Sequence, residues 1–300
     1  MKSGSEMFKG SMVAIVTPFK EGPIDFEAAE KLVDWHLGQG TSAIVVTGTT
    51  GEVPTLSDDE AESLWRAVIG AVGGKIPVIA GAGGNDTEHA IELSKRAKEA
   101  GADALLHVTP YYNKPTQRGL IAHYEAVANA VDLPICLYSV PSRTALEIAP
   151  ETVAKLSAHA NIVALKEAGG SVDRVTRVRQ ECDITIVSGD DGITLPMMAV
   201  GAVGSISVSA NVVPKENAEM IRLAAEGHYA DARAIHERIY PLVKALFIET
   251  NPVPVKAALA LMGKIRNELR LPLVPMEAAN RERLSEAMRD LGIPIQMLLG

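Results

Sequence analysis

Three hundred residues, 47% of them hydrophobic and 22% charged, make a chain long enough for a large buried core and one or two domains. A formal charge of −8 without any basic run argues against nucleic-acid partners, and the composition is not that of a disordered, fibrous or membrane-spanning chain. Cys136 and Cys182 suffice for neither a disulfide framework nor a zinc site, and residues 1–7 lack the apolar stretch of a signal peptide, so a cytoplasmic protein is expected.

Apolar, β-rich runs recur at intervals of about thirty residues, with helical patterns between them. The runs cover 11–19, 43–47, 78–82, 104–109, 134–140, 162–166, 184–188 and 205–209. Among the intervening helices, 59–72 is the clearest, with Ser57 and Glu60 spaced as a capping box. Eight βα units in sequence point to a parallel (β/α)8 TIM barrel. An open doubly wound sheet is the runner-up and usually needs fewer strands.

Beyond about residue 214 the strand signals stop. Ala232, Ile235, Ile239, Leu242 and Leu246 form an amphipathic stripe that Pro241 should kink. Further helices are expected over 255–262 and 277–291, after a boundary at Asn251-Pro252-Val253-Pro254. The organisation expected is a barrel over 1–224 followed by a helical region over 225–300.

A TIM barrel builds its active site at the C-terminal ends of its strands. The sixth run ends at Lys166, an amine closing an otherwise apolar segment. Either it snorkels to water, or it is a desolvated amine able to attack a carbonyl and form a Schiff base. The fifth run carries Tyr138, and neighbouring strands lie about 4.8 Å apart, so a phenol within hydrogen-bonding reach of Lys166 could relay protons. Arg143 follows near the same rim.

The second run ends in Gly48-Thr49-Thr50-Gly51-Glu52, either an ordinary turn or a loop whose amides cradle a small anion. The fourth ends in Thr109-Pro110-Tyr111-Tyr112-Asn113, where tyrosines ordinarily only pack. Asp190 and Asp191 read as helix caps before they read as metal ligands, and His107 as a packed core histidine. No phosphate-binding loop, dinucleotide fingerprint or histidine metal motif is present in the sequence.

These segments resemble the pyruvate-dependent class I aldolase and lyase family. The similarity runs from about residue 8 to 291 and rests on Gly48-Thr49-Thr50-Gly51-Glu52, Tyr111-Tyr112-Asn113-Lys114-Pro115, the stretch from Tyr138 to Thr144, that from Ile162 to Glu167, Ser188-Gly189-Asp190-Asp191, and that from Asn251 to Lys256.

By that resemblance Lys166 forms a Schiff base with pyruvate. Tyr138, Thr49 and Tyr112 form the proton relay, with Tyr112 acting across a subunit contact. Thr49 and Thr50 hold the pyruvate carboxylate, and the backbone at Gly189 and Ile206 lines the pocket. The second substrate implied is aspartate 4-semialdehyde, its carboxylate met by the planar fork of Arg143. The reaction is then the entry to diaminopimelate and lysine biosynthesis, with no metal or organic cofactor, in a homotetramer built as a dimer of dimers.

Sialic acid lyases and ketodeoxysugar aldolases share the lysine and the first tyrosine but resemble the Arg143 and Tyr111-Tyr112-Asn113 context less well. A lyase for another sugar acid or aldehyde adduct is therefore the alternative, and a noncatalytic keto-acid binder is the third reading. Ser139 and Ala145 depart from the common Asn and Gly without removing a group from the relay. Lysine-inhibited members resemble the chain at Asn85 and Tyr111 but often carry other residues where Asp58, Ala61 and His89 stand, so weak or absent lysine feedback is expected.

Overall fold

The computed structural model describes residues 4–296. Eight parallel strands close into one barrel in sequence order. They are β1 (Gly10–Ala14), β2 (Ala43–Val46), β3 (Val78–Gly81), β4 (Ala104–Val108), β5 (Ile135–Ser139), β6 (Ile162–Glu167), β7 (Thr185–Ser188) and β8 (Gly204–Ser207). β8 closes on β1, with Gly10 opposite Gly204 and Val13 opposite Ser207.

Strand β1 stops short of the expected 11–19. Past Ile15, whose amide still reaches the Val45 carbonyl, the Val16 amide is taken by the side chain of Asn211 at 3.3 Å, and Pro18 has no amide to offer.

The helices that follow the early strands are α1 (Phe26–Leu37), α2 (Asp58–Val72), α3 (Thr87–Ala100) and α4 (Gln117–Ala130). The capping box at Ser57 and Glu60 is present, with both reciprocal hydrogen bonds made. After β5 comes the short α5 (Pro141–Thr144), then α6 (Pro150–Ser157), α7 (Asp173–Glu181), α8 (Thr194–Ala199) and α9 (Pro214–Ala225).

The C-terminal helices are α10 (Tyr229–Ala245), α11 (Val253–Leu261) and α12 (Ala278–Asp290), and α10 runs through Pro241. α10 packs on α9 and on α12, α12 also packs on α11, and their apolar residues Ile239, Leu242, Val255 and Leu284 join the same core that lies between barrel and helices. The ends of the expected regions, 1–3 and 297–300, lie outside the described residues. None of the described helices is long and apolar enough to cross a membrane.

Side chains alternate between two compartments. Met12, Val45, Ile79, Leu106, Cys136, Ala164 and Ile206 fill the barrel interior, whereas Val13, Ile44, Leu105, Leu137 and Leu165 face the helices. Phe8, from a 3-10 turn over Gly4–Phe8 that packs on β6 and β7, joins the interior cluster. This parity decides where the strand ends point. Ala164 faces inward, so Lys166 does too, while Glu167 turns outward to the helices.

Candidate active site

Tyr138 and Lys166 are register partners across β5 and β6. Both are buried, and the Lys166 ammonium lies 4.1 Å from the Tyr138 ring centroid. The lysine nitrogen therefore rests over the face of the ring, a cation–π contact, where the sequence suggested a hydrogen bond with the phenol oxygen.

Gly189, at the end of β7, leaves room for the lysine. A Cβ there would stand 2.7 Å from Lys166 Cε, closer than carbons approach without displacement. On the outer face Glu167 braces the strand end, accepting from Arg174 Nε at 3.1 Å, Arg174 Nη2 at 3.0 Å and the Gly169 amide at 2.7 Å. Burial pushes the Glu167 carboxyl upward, against the opposing pull of Arg174.

The turn after β2 forms a short 3-10 helix over Thr49–Gly51. Its first amides, as at any helix start, have no carbonyl partner within it. Thr17 Oγ1 donates to the Gly51 carbonyl at 2.6 Å, and Asn251 Nδ2 donates to Thr50 Oγ1 at 3.1 Å. Because Thr50 accepts from Asn251, its own hydroxyl proton is left to donate elsewhere. Gly81 on β3 admits this turn, since a Cβ there would fall 2.3 Å from the Thr47 carbonyl oxygen.

Thr49, Thr50, Tyr138, Arg143, Lys166 and Gly189 border one cavity of about 440 Å³ at the C-terminal end of the barrel. Arg143, on α5, donates through Nη2 to the Asn251 carbonyl at 3.1 Å, and no carboxylate pairs with it among the described residues. Lys166, Arg143 and Lys244 line the cavity with Asp190, so a chain of net negative charge holds a local excess of positive groups there. An unpaired guanidinium and an amine suit an anionic carbonyl compound.

Two residues proposed from the sequence stand apart. Ile206, expected to contribute its backbone, lies on β8 with its side chain buried in the barrel interior, and Val208 two residues on borders the cavity. Tyr112 projects away from the cavity of its own chain, 90% exposed and with a left-handed φ of 70°.

Asp190 caps the turn after β7 through the Gly192 amide at 3.3 Å. Asp191 does something else: it accepts from the Val208 and Ser209 amides at 3.0 and 2.8 Å and ties the β7 loop to the β8 loop. His107 is a packed core histidine bonded to Ser94 at 3.1 Å.

Other lining groups were not singled out in the sequence. Asn251 holds both Thr50 and Arg143, yet it is 201 residues from Thr50 in the chain, and only its place in a matched segment marks it. Tyr240, Lys244 and Phe247, on and just after α10, cover one side of the cavity. Their spacing resembles an ordinary exposed helix face, so sequence pattern gives no signal.

The profile of the dihydrodipicolinate synthetase family matches residues 7–291. The 4-hydroxy-tetrahydrodipicolinate synthase of Geobacter metallireducens is 53% identical over 286 residues, covering 95% of this chain and 99% of the relative. A crystal structure of dihydrodipicolinate synthase from Aquifex aeolicus superposes with a TM-score of 0.95 at 48% identity, over 96% of this chain and 100% of the other. The Acinetobacter baumannii enzyme, solved in complex with pyruvate, gives 0.92 at 46% identity over 95% and 99% of the two chains. With the barrel, the C-terminal helices and every loop bordering the cavity inside the matched span, the chain belongs to the dihydrodipicolinate synthetase family.

Proposed function

We propose that this chain condenses pyruvate with aspartate 4-semialdehyde to 4-hydroxy-tetrahydrodipicolinate, the activity for which its relatives are named. The observation that supports the reading most is a buried inward-facing amine and a carboxylate-free guanidinium bordering one cavity, at Lys166 and Arg143.

In this reading Lys166 gives up its ammonium proton to solvent, its nitrogen attacks the pyruvate ketone, and loss of water gives the imine. Thr49 and Thr50 hold the pyruvate carboxylate, with the Thr50 hydroxyl oriented by Asn251. Removal of a methyl proton turns the imine into an enamine, and the Tyr138 phenol passes protons to and from the reacting atoms. The enamine carbon then adds to the aldehyde, whose oxygen takes up a proton. Finally the amine of the second substrate attacks the imine carbon and releases Lys166 as the ring closes. Arg143 holds the second carboxylate.

Tyr112 completes the relay from a partner copy in a homotetramer built as a dimer of dimers. A tyrosine 90% exposed in a conformation unfavourable to side-chain-bearing residues supports that placement.

Turnover is compared for aspartate semialdehyde and a panel of sugar aldehydes, each with pyruvate. Preference for the former by orders of magnitude in kcat/KM is expected. Equal or greater turnover of a sugar aldehyde contradicts the assignment.

A further inference from the structure

The Thr49–Gly51 turn is bracketed by two buried residues of left-handed backbone, Thr47 and Glu52, each with φ of 55°. Such a conformation costs a side-chain-bearing residue roughly 1–2 kcal/mol, and it persists only where the surroundings enforce it. At the first end Trp65 donates its indole N–H to Thr47 Oγ1 at 2.7 Å.

At the second end the Glu52 carboxylate meets two donors from the C-terminal region. Lys256 of α11 donates to Oε1 at 2.5 Å, and the Arg270 amide donates to Oε2 at 3.0 Å. Glu52 and Lys256 are 1% and 0% exposed. The Lys256 ammonium and the Arg270 guanidinium also lie 4.3 and 4.5 Å from the ring centroid of Phe19, in the loop after β1.

A dry ion pair is a poor device for stability. Desolvating both charges about cancels their attraction, and apolar residues of the same volume do as well or better. Neither Glu52 nor Lys256 lines the cavity, so the chemistry uses neither charge. What the pair does hold is position. Glu52 lies two residues after Thr50, and Lys256 five after Asn251, which itself bonds to Thr50. Two points of one C-terminal segment are thereby fixed to two points of one turn.

We infer that the buried Glu52–Lys256 pair is a positioning device that sets the Thr49–Thr50 turn for the substrate carboxylate, so that affinity for pyruvate depends on it. The inference rests on the proposed role of the two threonines.

The test uses the full-length Glu52→Gln/Lys256→Met double variant, which removes both charges at similar volume, and Glu52→Gln alone as a milder change. Steady-state kinetics and borohydride trapping of Lys166 are followed at graded pyruvate concentrations, with melting curves to verify the fold. In the double variant half-saturation by pyruvate is expected to rise about tenfold in both assays, the equivalent of one well-placed polar contact. Maximal trapping, kcat within a few-fold and the KM for aspartate semialdehyde should persist, and Glu52→Gln should fall between it and wild type.

Unchanged pyruvate half-saturation in whichever of the two variants folds overturns the inference. So does a loss confined to kcat, or an equal rise in both KM values. A wild-type chain that pyruvate and borohydride leave unmodified overturns the proposed function together with it, whereas a trapped wild type beside a variant of unchanged affinity overturns the inference alone.

Discussion

Lys166 sits over the ring face of its register partner Tyr138, 4.1 Å from the centroid. The phenol oxygen is consequently free of the lysine and available to protons on a bound substrate. Tyr138→Phe keeps the ring under the amine and removes only the hydroxyl. Schiff-base trapping at Lys166 should survive in this variant, while kcat falls by about 10²–10⁴, the range of a lost general acid–base group. Rapid-quench measurement of turnover beside trapping checks it, and unimpaired turnover would remove Tyr138 from the relay.

Gly189→Ala places a methyl group 2.7 Å from Lys166 Cε. The lysine must swing aside or the strand end must shift. A stability loss of about 1–3 kcal/mol is expected from overpacking, with a larger drop in activity because the amine is displaced. Denaturant unfolding and kinetics on the same preparation separate the two effects.

Arg143→Ala should spare pyruvate and damage use of the second substrate. Loss of a charge-assisted hydrogen bond of about 1.5–3 kcal/mol corresponds to a roughly tenfold to hundredfold fall in kcat/KM for aspartate semialdehyde. Pyruvate-dependent trapping at Lys166 should be unchanged. Arg143→Ala with intact kcat/KM would return the choice of second substrate to the sugar-acid lyases.

The barrel was legible because its strands are short apolar runs with turn residues at each end, and hydrophobic run length survives without knowledge of neighbours. At β1 the apolar character continues to Phe19 while the strand's hydrogen-bonding partners do not, so run length overstates the strand. Lys166, Tyr138 and Arg143 stood out at strand ends, and inward parity brought the first two together. The orientation of the amine over the ring and the bridging role of Asn251 depend on contacts between distant segments, which no local pattern encodes. Lys256 did leave a trace, as the sole charge in the apolar helix Val253–Leu261.

Acid stability should be governed by neutral core histidines. Burial pushes His36 and His107 down to about 3 from 6.5, and His123 and His236 move the same way. Above pH 6.5 folded and unfolded chains are both uncharged at these positions, and they contribute nothing to the pH dependence. Below it the unfolded chain binds protons that the folded chain refuses, so stability falls with pH from about 6.5 toward 3, by up to about 1.4 kcal/mol per unit for each fully buried ring. Glu60, held near 2 chiefly by Arg270, loses its contribution only below about 4.5. Burial pushes the Glu167 and Asp191 carboxyls upward, so they oppose the histidines as pH falls, and the histidine contribution is read as a difference between wild type and a histidine variant. Between pH 6.5 and 4.5 the melting temperature of His107→Asn should fall less steeply than that of wild type; identical slopes would contradict a His107 contribution.

Lysine should be a weak effector. A second cavity of about 360 Å³ is lined by Asn85 and Tyr111 but also by Ala61, Asp58 and His89, the last two bonded to each other at 3.0 Å. Inhibition curves should show little effect at submillimolar lysine, and strong allosteric inhibition there would refute the expectation.

In the proposed reaction Lys166 is the Schiff-base nucleophile. Reduction with borohydride in the presence of pyruvate, followed by peptide mass analysis, tests it directly. The expected result is one carboxyethyl adduct, on the peptide containing Lys166 and dependent on pyruvate. An unmodified Lys166, or an adduct on another lysine, would contradict it.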